Sequence, residues 1–442
     1  MKLLIKNGCL VDPSAERFGL YDILVEDGVI ADVFRRSCGY LCSDTDEVSC
    51  SVNNSYADAD EVIDASGLYV MPGFVDLHVH FREPGLTHKE TVKTGSMAAA
   101  AGGYTSVFCM PNTKPVIDSA DNYSLLMDII QKDACVNVYP VGAVTVNQQG
   151  EVLADIETMA DMGMKAISED GKSVMNSGLY SEAMKIAKDK GIVVFAHCED
   201  INLVRGGVMN AGKCADMLGL NGITNAVEDI ITARDIMLAG ETGAKLHLCH
   251  CSTKDSVKLV KDAKDAGLPV SAEVCPHHFT LTDEDITEDD ANYKMNPPLR
   301  AKEDVEALID GIRQGIMEVI STDHAPHSAE EKNQSMAKAP FGIVGLETAF
   351  ALSFTELVCN RKAITLPELV KCMSTNPARI AGIDRGSLTK GKVADIVIAD
   401  IDEEYEINAE KFYSMGKNTP FNGRKVRGKI VKTFVAGKEV IL

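Results

Sequence analysis

The sequence predicts an α/β fold, a (β/α)8 barrel joined to a small β-sandwich domain built from both termini. Three observations predict it. Between residues 67 and 385, short apolar runs alternate with longer helical stretches, and eight such runs can be counted. The flanking segments 1–66 and 386–442 instead alternate apolar and polar residues between glycine turns. Histidine is scarce, 10 in 442 residues, yet nine of the 10 fall within or just beyond the end of a candidate strand, His88 being the looser exception.

Taken in order, the chain opens with LLIKNGCLVD and YDILVEDGVIADVF, two strand-like stretches with Asp27-Gly28 as a hairpin signal. Residues 35–60 then lose all periodicity. Their Ser, Asp and Asn content reads as a long exposed loop, and Cys38, Cys42 and Cys50 within it lack the histidine that a zinc site would want. The barrel strands are expected in LYVMPGFVDLHVH, TSVFCMPN, VNVYPVGAV, MKAIS, IVVFAHCED, KLHLCH, PVSAEVCPHH and MEVISTDHAP. Helix-like segments such as SEAMKIAKDKG and VEDIITARDIMLAGETG lie between them and end in glycine. GSLTKGKVADIVIADID and GRKVRGKIVKTFVAGKEVIL return to strand-and-turn patterning.

Composition narrows the function classes. At 45% hydrophobic residues the chain can bury a large core. A formal charge of -21 argues against nucleic acid or an anionic membrane as a partner, and an anionic substrate would need a local positive site. No apolar run approaches membrane-spanning length, and the N-terminus lacks the pattern of a signal peptide. Thirteen cysteines without paired spacing fit reduced thiols and a cytoplasmic location.

In such barrels chemistry sits at the C-terminal ends of the strands. Those ends carry Asp76, His78 and His80; Asn112; Glu169 and Asp170; His197; His250; His277 and His278; and Asp323 and His324. His78 and His80, two apart on a strand, share a face and form a chelating pair. Alone, they read equally well as two half-exposed strand histidines. Together with His197, His250 and the carboxylates they suit one or two divalent metals of the zinc type. His247 should face away from His250 and pack; Cys249 and Cys251 should also point away from it. Glu199-Asp200 is open to a helix-capping role, and Arg82 is either a surface cation or a clamp for a substrate carboxylate.

The run Val75-Asp76-Leu77-His78-Val79-His80-Phe81-Arg82-Glu83-Pro84-Gly85 resembles the first-strand signature of dihydroorotases, the long bacterial type in the amidohydrolase superfamily. Met110-Pro111-Asn112-Thr113, Met295-Asn296-Pro297-Pro298-Leu299-Arg300, Asp323-His324-Ala325-Pro326-His327 and Pro340-Phe341-Gly342 are similar to its later elements. Gly391-Lys392-Val393-Ala394-Asp395-Ile396 resembles the superfamily's C-terminal β-domain strand. The resemblance implies two zinc ions per subunit, with His78 and His80 on one, His197 and His250 on the other, and Asp170 and a hydroxide bridging them. Glu169 stands where the family more often has a first aspartate, so Asp170 is the matching residue. Lys165 keeps open the lysine bridge used by other relatives. Asp323 is implied as metal ligand and proton shuttle. His80, Arg82, Asn112, Asn296, His327, Phe341 and Gly342 are implied to hold substrate.

The activity so implied is the reversible hydrolysis of (S)-dihydroorotate to N-carbamoyl-L-aspartate in pyrimidine biosynthesis, by a homodimer in the cytoplasm. Association with aspartate carbamoyltransferase stays open. So do two other readings: another cyclic amidohydrolase (hydantoinase, dihydropyrimidinase or allantoinase), and an inactive scaffold for that carbamoyltransferase. Residues 328–339, polar and charged, are either a lid or an ordinary solvated loop.

Overall fold

A computed structural model describes residues 1–36 and 59–442. The loop expected over 35–60, with its three cysteines, lies outside the described residues except at its ends. The chain begins as a meander of β1 (Lys2–Asp12), β2 (Arg17–Glu26) and β3 (Val29–Arg35). Asp27 and Gly28 both take positive φ, 49° and 81°, the geometry that suits a tight antiparallel turn. β4 (Glu61–Asp64) and β5 (Tyr69–Pro72) then pair with β1 in parallel.

The barrel follows. Its strands are β6 (Phe74–Val79), β7 (Tyr104–Cys109), β8 (Asn137–Pro140) running on into β9 (Gly142–Ala143), β10 (Ala166–Ser168) and β11 (Val193–Ala196). A small ribbon of β12 (Met209–Asn210) and β13 (Gly222–Ile223) interrupts before β14 (Leu246–Leu248), β15 (Val270–Val274) and β16 (Val319–Ile320). Neighbouring barrel strands are parallel. The ring closes where Val79 bridges His324 and the His80 N–H donates to the His324 carbonyl at 2.9 Å. Parallel strands need crossovers, and helices such as Ser177–Lys190 and Ala226–Thr242 supply them, each ended by a left-handed glycine, Gly191 or Gly243.

The end of the chain returns to the first sheet as β17 (Ile396–Glu406), β18 (Lys425–Val435) and β19 (Lys438–Glu439). The sheet order is β19-β18-β17-β5-β1-β2-β3, with β4 also on β1, so both termini build one mixed sheet. Val29 bridges Val393, which curls the sheet around Leu3, Ile23, Val70, Ile396 and Phe434.

Strand parity places the site. On β11, Val194 and Ala196 join the large core between sheet and helices, whereas Val193 and Phe195 join a second cluster with Phe108, Val319 and Cys249. The next residue in the phase of Val193 and Phe195 is His197. The alternation that buries apolar side chains along the strand thus presents an imidazole at its end.

Candidate active site

Four imidazoles and two carboxylates meet at the C-terminal mouth of the barrel. Asp170, from the loop after β10, lies among them. Its Oδ1 is 3.1 Å from His78 Nε2, 3.6 Å from His197 Nδ1 and 3.9 Å from His250 Nε2, and its Oδ2 is 3.5 Å from His80 Nε2. Asp323 Oδ1 is 3.1 Å from His80 Nε2 and 3.5 Å from His78 Nε2. His197 Nδ1 and His250 Nε2 face each other at 2.9 Å. Every one of these residues is buried.

The set fits divalent metal. His78 Nε2 is fully buried and has no hydrogen-bond partner among the described residues. Separations of 3–4 Å are those of donor atoms around ions bound at about 2.0–2.2 Å. The electrostatics agree. Burial works against charge on both aspartates, yet the neighbouring imidazoles hold Asp170 and Asp323 below the usual carboxylate range. Burial also opposes charge on His78, but Asp170 and other anionic neighbours raise it well above its ordinary value. The centre calls for positive charge.

Three residues reach this centre through left-handed backbone: Arg82 (φ 61°), His250 (φ 33°) and Asp323 (φ 49°). For non-glycine residues that conformation costs on the order of 1–3 kcal/mol each and persists only where surroundings hold it. For His250 it reverses what strand alternation dictates. Continued alternation would send its side chain outward with Leu246 and Leu248; the turn brings it in. His247, expected to pack away from the site, instead has the interior phase of β14. Its Nε2 lies 3.0 Å from Glu273 Oε2, and Glu273 Oε1 is 3.1 Å from His78 Nδ1. Cys249 shares that interior phase and sits in a group with His78 and Glu273. Cys251 packs outward in the large core.

Around the centre, Asn112 donates to Asp170 Oδ2 at 3.3 Å, and its Oδ1 is 3.0 Å from His80 Nδ1. Glu169 turns away and accepts from the backbone of Val144 and Thr145 and from the Thr145 hydroxyl. Lys165 is exposed just before β10, at the strand end remote from Asp170. Asp200 does cap a helix, accepting from Asn202 N–H. Glu199 instead lies 3.2 Å from His197 Nε2 and accepts from Asn296 Nδ2 at 2.9 Å.

Beside the centre is a corner of net positive charge, in which Arg82 and Lys89 stand against one carboxylate, Glu331, whose Oε1 is 2.9 Å from Lys89 Nζ and whose Oε2 is 3.5 Å from His327 Nδ1. Arg82 is buried and donates through Nε to the Pro326 carbonyl at 3.2 Å. His327 Nε2 donates to the Phe341 carbonyl at 2.8 Å, leaving Nδ1 to accept from Lys89 Nζ at 3.3 Å. Arg82 Nη2 lies 3.3 Å from the same ring. Burial, then Arg82, Lys89 and Lys332, push His327 down to about 2, so the ring is neutral. Gly342 has φ 125°, and a Cβ there would lie 2.6 Å from Ala325 Cβ, so glycine alone lets this backbone lie over the site. Residues 328–339 are no plain solvated loop. Met336 is fully buried, and Lys332 Nζ donates to the carbonyls of Pro340 (3.1 Å) and Gly342 (2.9 Å).

Sequence reasoning gives Glu273 no place near the site and His247 only a packing role, yet both are linked to His78. The available signal is a carboxylate within a mostly apolar, mostly buried strand, which burial tolerates only when it is paired.

A family model described as Dihydro-orotase-like matches residues 67–256. A dihydroorotase from Pelotomaculum thermopropionicum is 47% identical over 441 residues, covering 100% of this chain and 99% of that protein. One from Bacillus cereus is 45% identical over 438 residues, covering 99% and 98%. Among solved structures, L-hydantoinase (dihydropyrimidinase) from Arthrobacter aurescens superposes with a TM-score of 0.84 at 27% identity, over 99% of this chain and 95% of that one. A dihydropyrimidinase from Brevibacillus agri, at 23% identity and a TM-score of 0.83, shares the fold. Barrel, mouth and relatives together define a hydrolase of cyclic amides. Within that class, the chain belongs to the dihydroorotase family. No helix among the described residues is long and apolar enough to cross a membrane.

Proposed function

We propose that this enzyme catalyses the reversible hydrolysis of (S)-dihydroorotate to N-carbamoyl-L-aspartate. The observation that carries the reading is the pairing of the Asp170-centred cluster with the basic corner of Arg82, Lys89 and neutral His327. The first suits an amide carbonyl and the second a ring carboxylate. In a chain of charge -21, such a corner is a local exception.

His78, His80, Asp170, His197, His250 and Asp323 would hold two zinc ions, whose imidazole and carboxylate preferences this donor set meets. When bound, the metals polarise the scissile carbonyl and make water acidic enough to attack at neutral pH. Asp323, ionised in its imidazole surroundings, accepts the proton of the attacking water. It delivers that proton to the ring nitrogen as the carbon–nitrogen bond breaks, acting first as base and then as acid. Arg82, Asn112, Asn296, His327 and the backbone of Phe341 and Gly342 hold the ring and its carboxylate, and His80, which would hold metal, also touches substrate. Orientation of this kind lowers the barrier by removing freedom before the chemical step.

On this reading residues 67–385 are the catalytic unit, and 1–66 with 386–442 form the accompanying β-domain. The enzyme acts in the cytoplasm as a homodimer; association with aspartate carbamoyltransferase would be an addition to an active enzyme. Convergence of the whole donor set speaks against an inactive scaffold. The test is Asp323→Asn with metal content matched to wild type. Turnover is expected to fall by about 10²–10⁴ with KM little altered. Wild-type turnover in that variant would overturn the mechanism.

A further inference from the structure

We infer that Glu273 is a positioning residue for the metal centre, one carboxylate that sets both the His78 imidazole and the His250 backbone turn. The inference rests on the reading that these imidazoles hold metal. Glu273 lies on β15, fully buried, and both of its oxygens have partners. Oε1 is 3.1 Å from His78 Nδ1 and accepts the His250 backbone N–H at 3.2 Å. Oε2 is 3.0 Å from His247 Nε2, whose ring is anchored on its other side by Ser271 Oγ at 2.8 Å from Nδ1.

Each contact has a distinct consequence. A carboxylate beside His78 Nδ1 keeps the ring proton on that nitrogen. The lone pair is then left on Nε2, the buried atom that has no hydrogen-bond partner among the described residues and faces Asp170 and Asp323. Carboxylates that receive the remote N–H of a ligand imidazole fix its tautomer and orientation and raise its basicity. The bond from the His250 N–H acts on the backbone instead. It holds the left-handed turn (φ 33°) without which strand alternation would direct that imidazole outward. Glu273 thus serves a member of each imidazole pair, and His247 holds it in place from beneath. None of these groups need touch substrate.

The experiment is metal retention by the full-length protein. Zinc-loaded wild type, Glu273→Gln, Glu273→Ala and His247→Asn are titrated with a chelator of known zinc affinity. The apo forms are melted in parallel, and the cobalt(II)-substituted forms are examined by visible absorption. Glu273→Ala is expected to weaken metal binding by about 10–100-fold, with Glu273→Gln and His247→Asn intermediate and an altered cobalt band in each. If Glu273→Ala fails to fold, the other two variants decide the matter. Lower apo melting temperature with wild-type zinc affinity and a wild-type cobalt spectrum would make Glu273 merely structural and overturn the inference. Failure of wild type itself to retain zinc would instead bring down the underlying metal reading.

Discussion

Replacing Arg82 by Met isolates the proposed carboxylate clamp. The side chain is buried, so its guanidinium meets a carboxylate away from bulk water. Met keeps the aliphatic length and removes the charge and the donors. Losing one partner of a buried charged pair costs roughly 2–5 kcal/mol. A value of about 3 kcal/mol corresponds to about two decades in kcat/KM for dihydroorotate. Most of it should appear in KM, because the carboxylate is held alike in ground and transition states. The fold should survive, since the variant loses the Nε bond to the Pro326 carbonyl (3.2 Å) and the Nη2 contact with His327 (3.3 Å), each worth about 1 kcal/mol. The assay is steady-state kinetics on dihydroorotate, with zinc content and a urea midpoint measured on the same preparation. A kcat/KM within about threefold of wild type, at equal metal content, would refute the clamp.

Other expectations follow from the same geometry. Prolonged chelation should abolish turnover while far-UV circular dichroism persists, and zinc should restore activity; full activity in verified metal-free protein would contradict the metal reading. Phe195→Ala, in the fully buried cluster beneath the site, should cost about 3–5 kcal/mol in urea unfolding, and a loss below about 1 kcal/mol would show that cluster to be loosely packed. Two groups outside the metal centre, the buried Lys332 and the half-buried Glu347, should shape stability against pH in opposite ways. Burial, then Lys294, push Lys332 down from 10.5 to about 7, so between these values the unfolded state binds more protons and stability rises with pH; Lys332→Met should flatten that rise. Burial raises Glu347 from 4.5 to about 7, so the folded state binds more protons and stability falls as pH rises through that window; Glu347→Gln should flatten the fall.

Much of this site can be read along the chain because the barrel ties chemistry to strand ends. His78, His80, His197 and Asp170 need only the eight-strand count and period-two alternation to be assigned to one mouth. His250 and Asp323 also lie at this mouth, but by a route that alternation does not supply. Alternation alone would misdirect His250, and only a left-handed backbone residue, which no local residue type announces, brings it inward. His247 shows the opposite error: its spacing from His250 suggests opposite faces, yet it is the residue in the interior phase. Its link to His78 runs through Glu273, 26 and 195 residues away from the two histidines respectively. Such long-range support has no local sequence signature beyond a carboxylate in an apolar strand. Lys332 likewise reads as part of a charged loop, and only the fold reveals it capping the carbonyls of Pro340 and Gly342. The terminal β-segments are legible as strands, whereas their joining into one curled sheet depends on register between residues far apart in the chain, as in Val29 with Val393, 364 positions on.

The most direct test of the whole account is a side-by-side assay of the purified, zinc-loaded enzyme on dihydroorotate, dihydrouracil, hydantoin and allantoin. Strong preference for dihydroorotate is expected, because only that ring carries the carboxylate that the corner of Arg82, Lys89 and His327 would receive. Preference for a ring without a carboxylate would contradict the account.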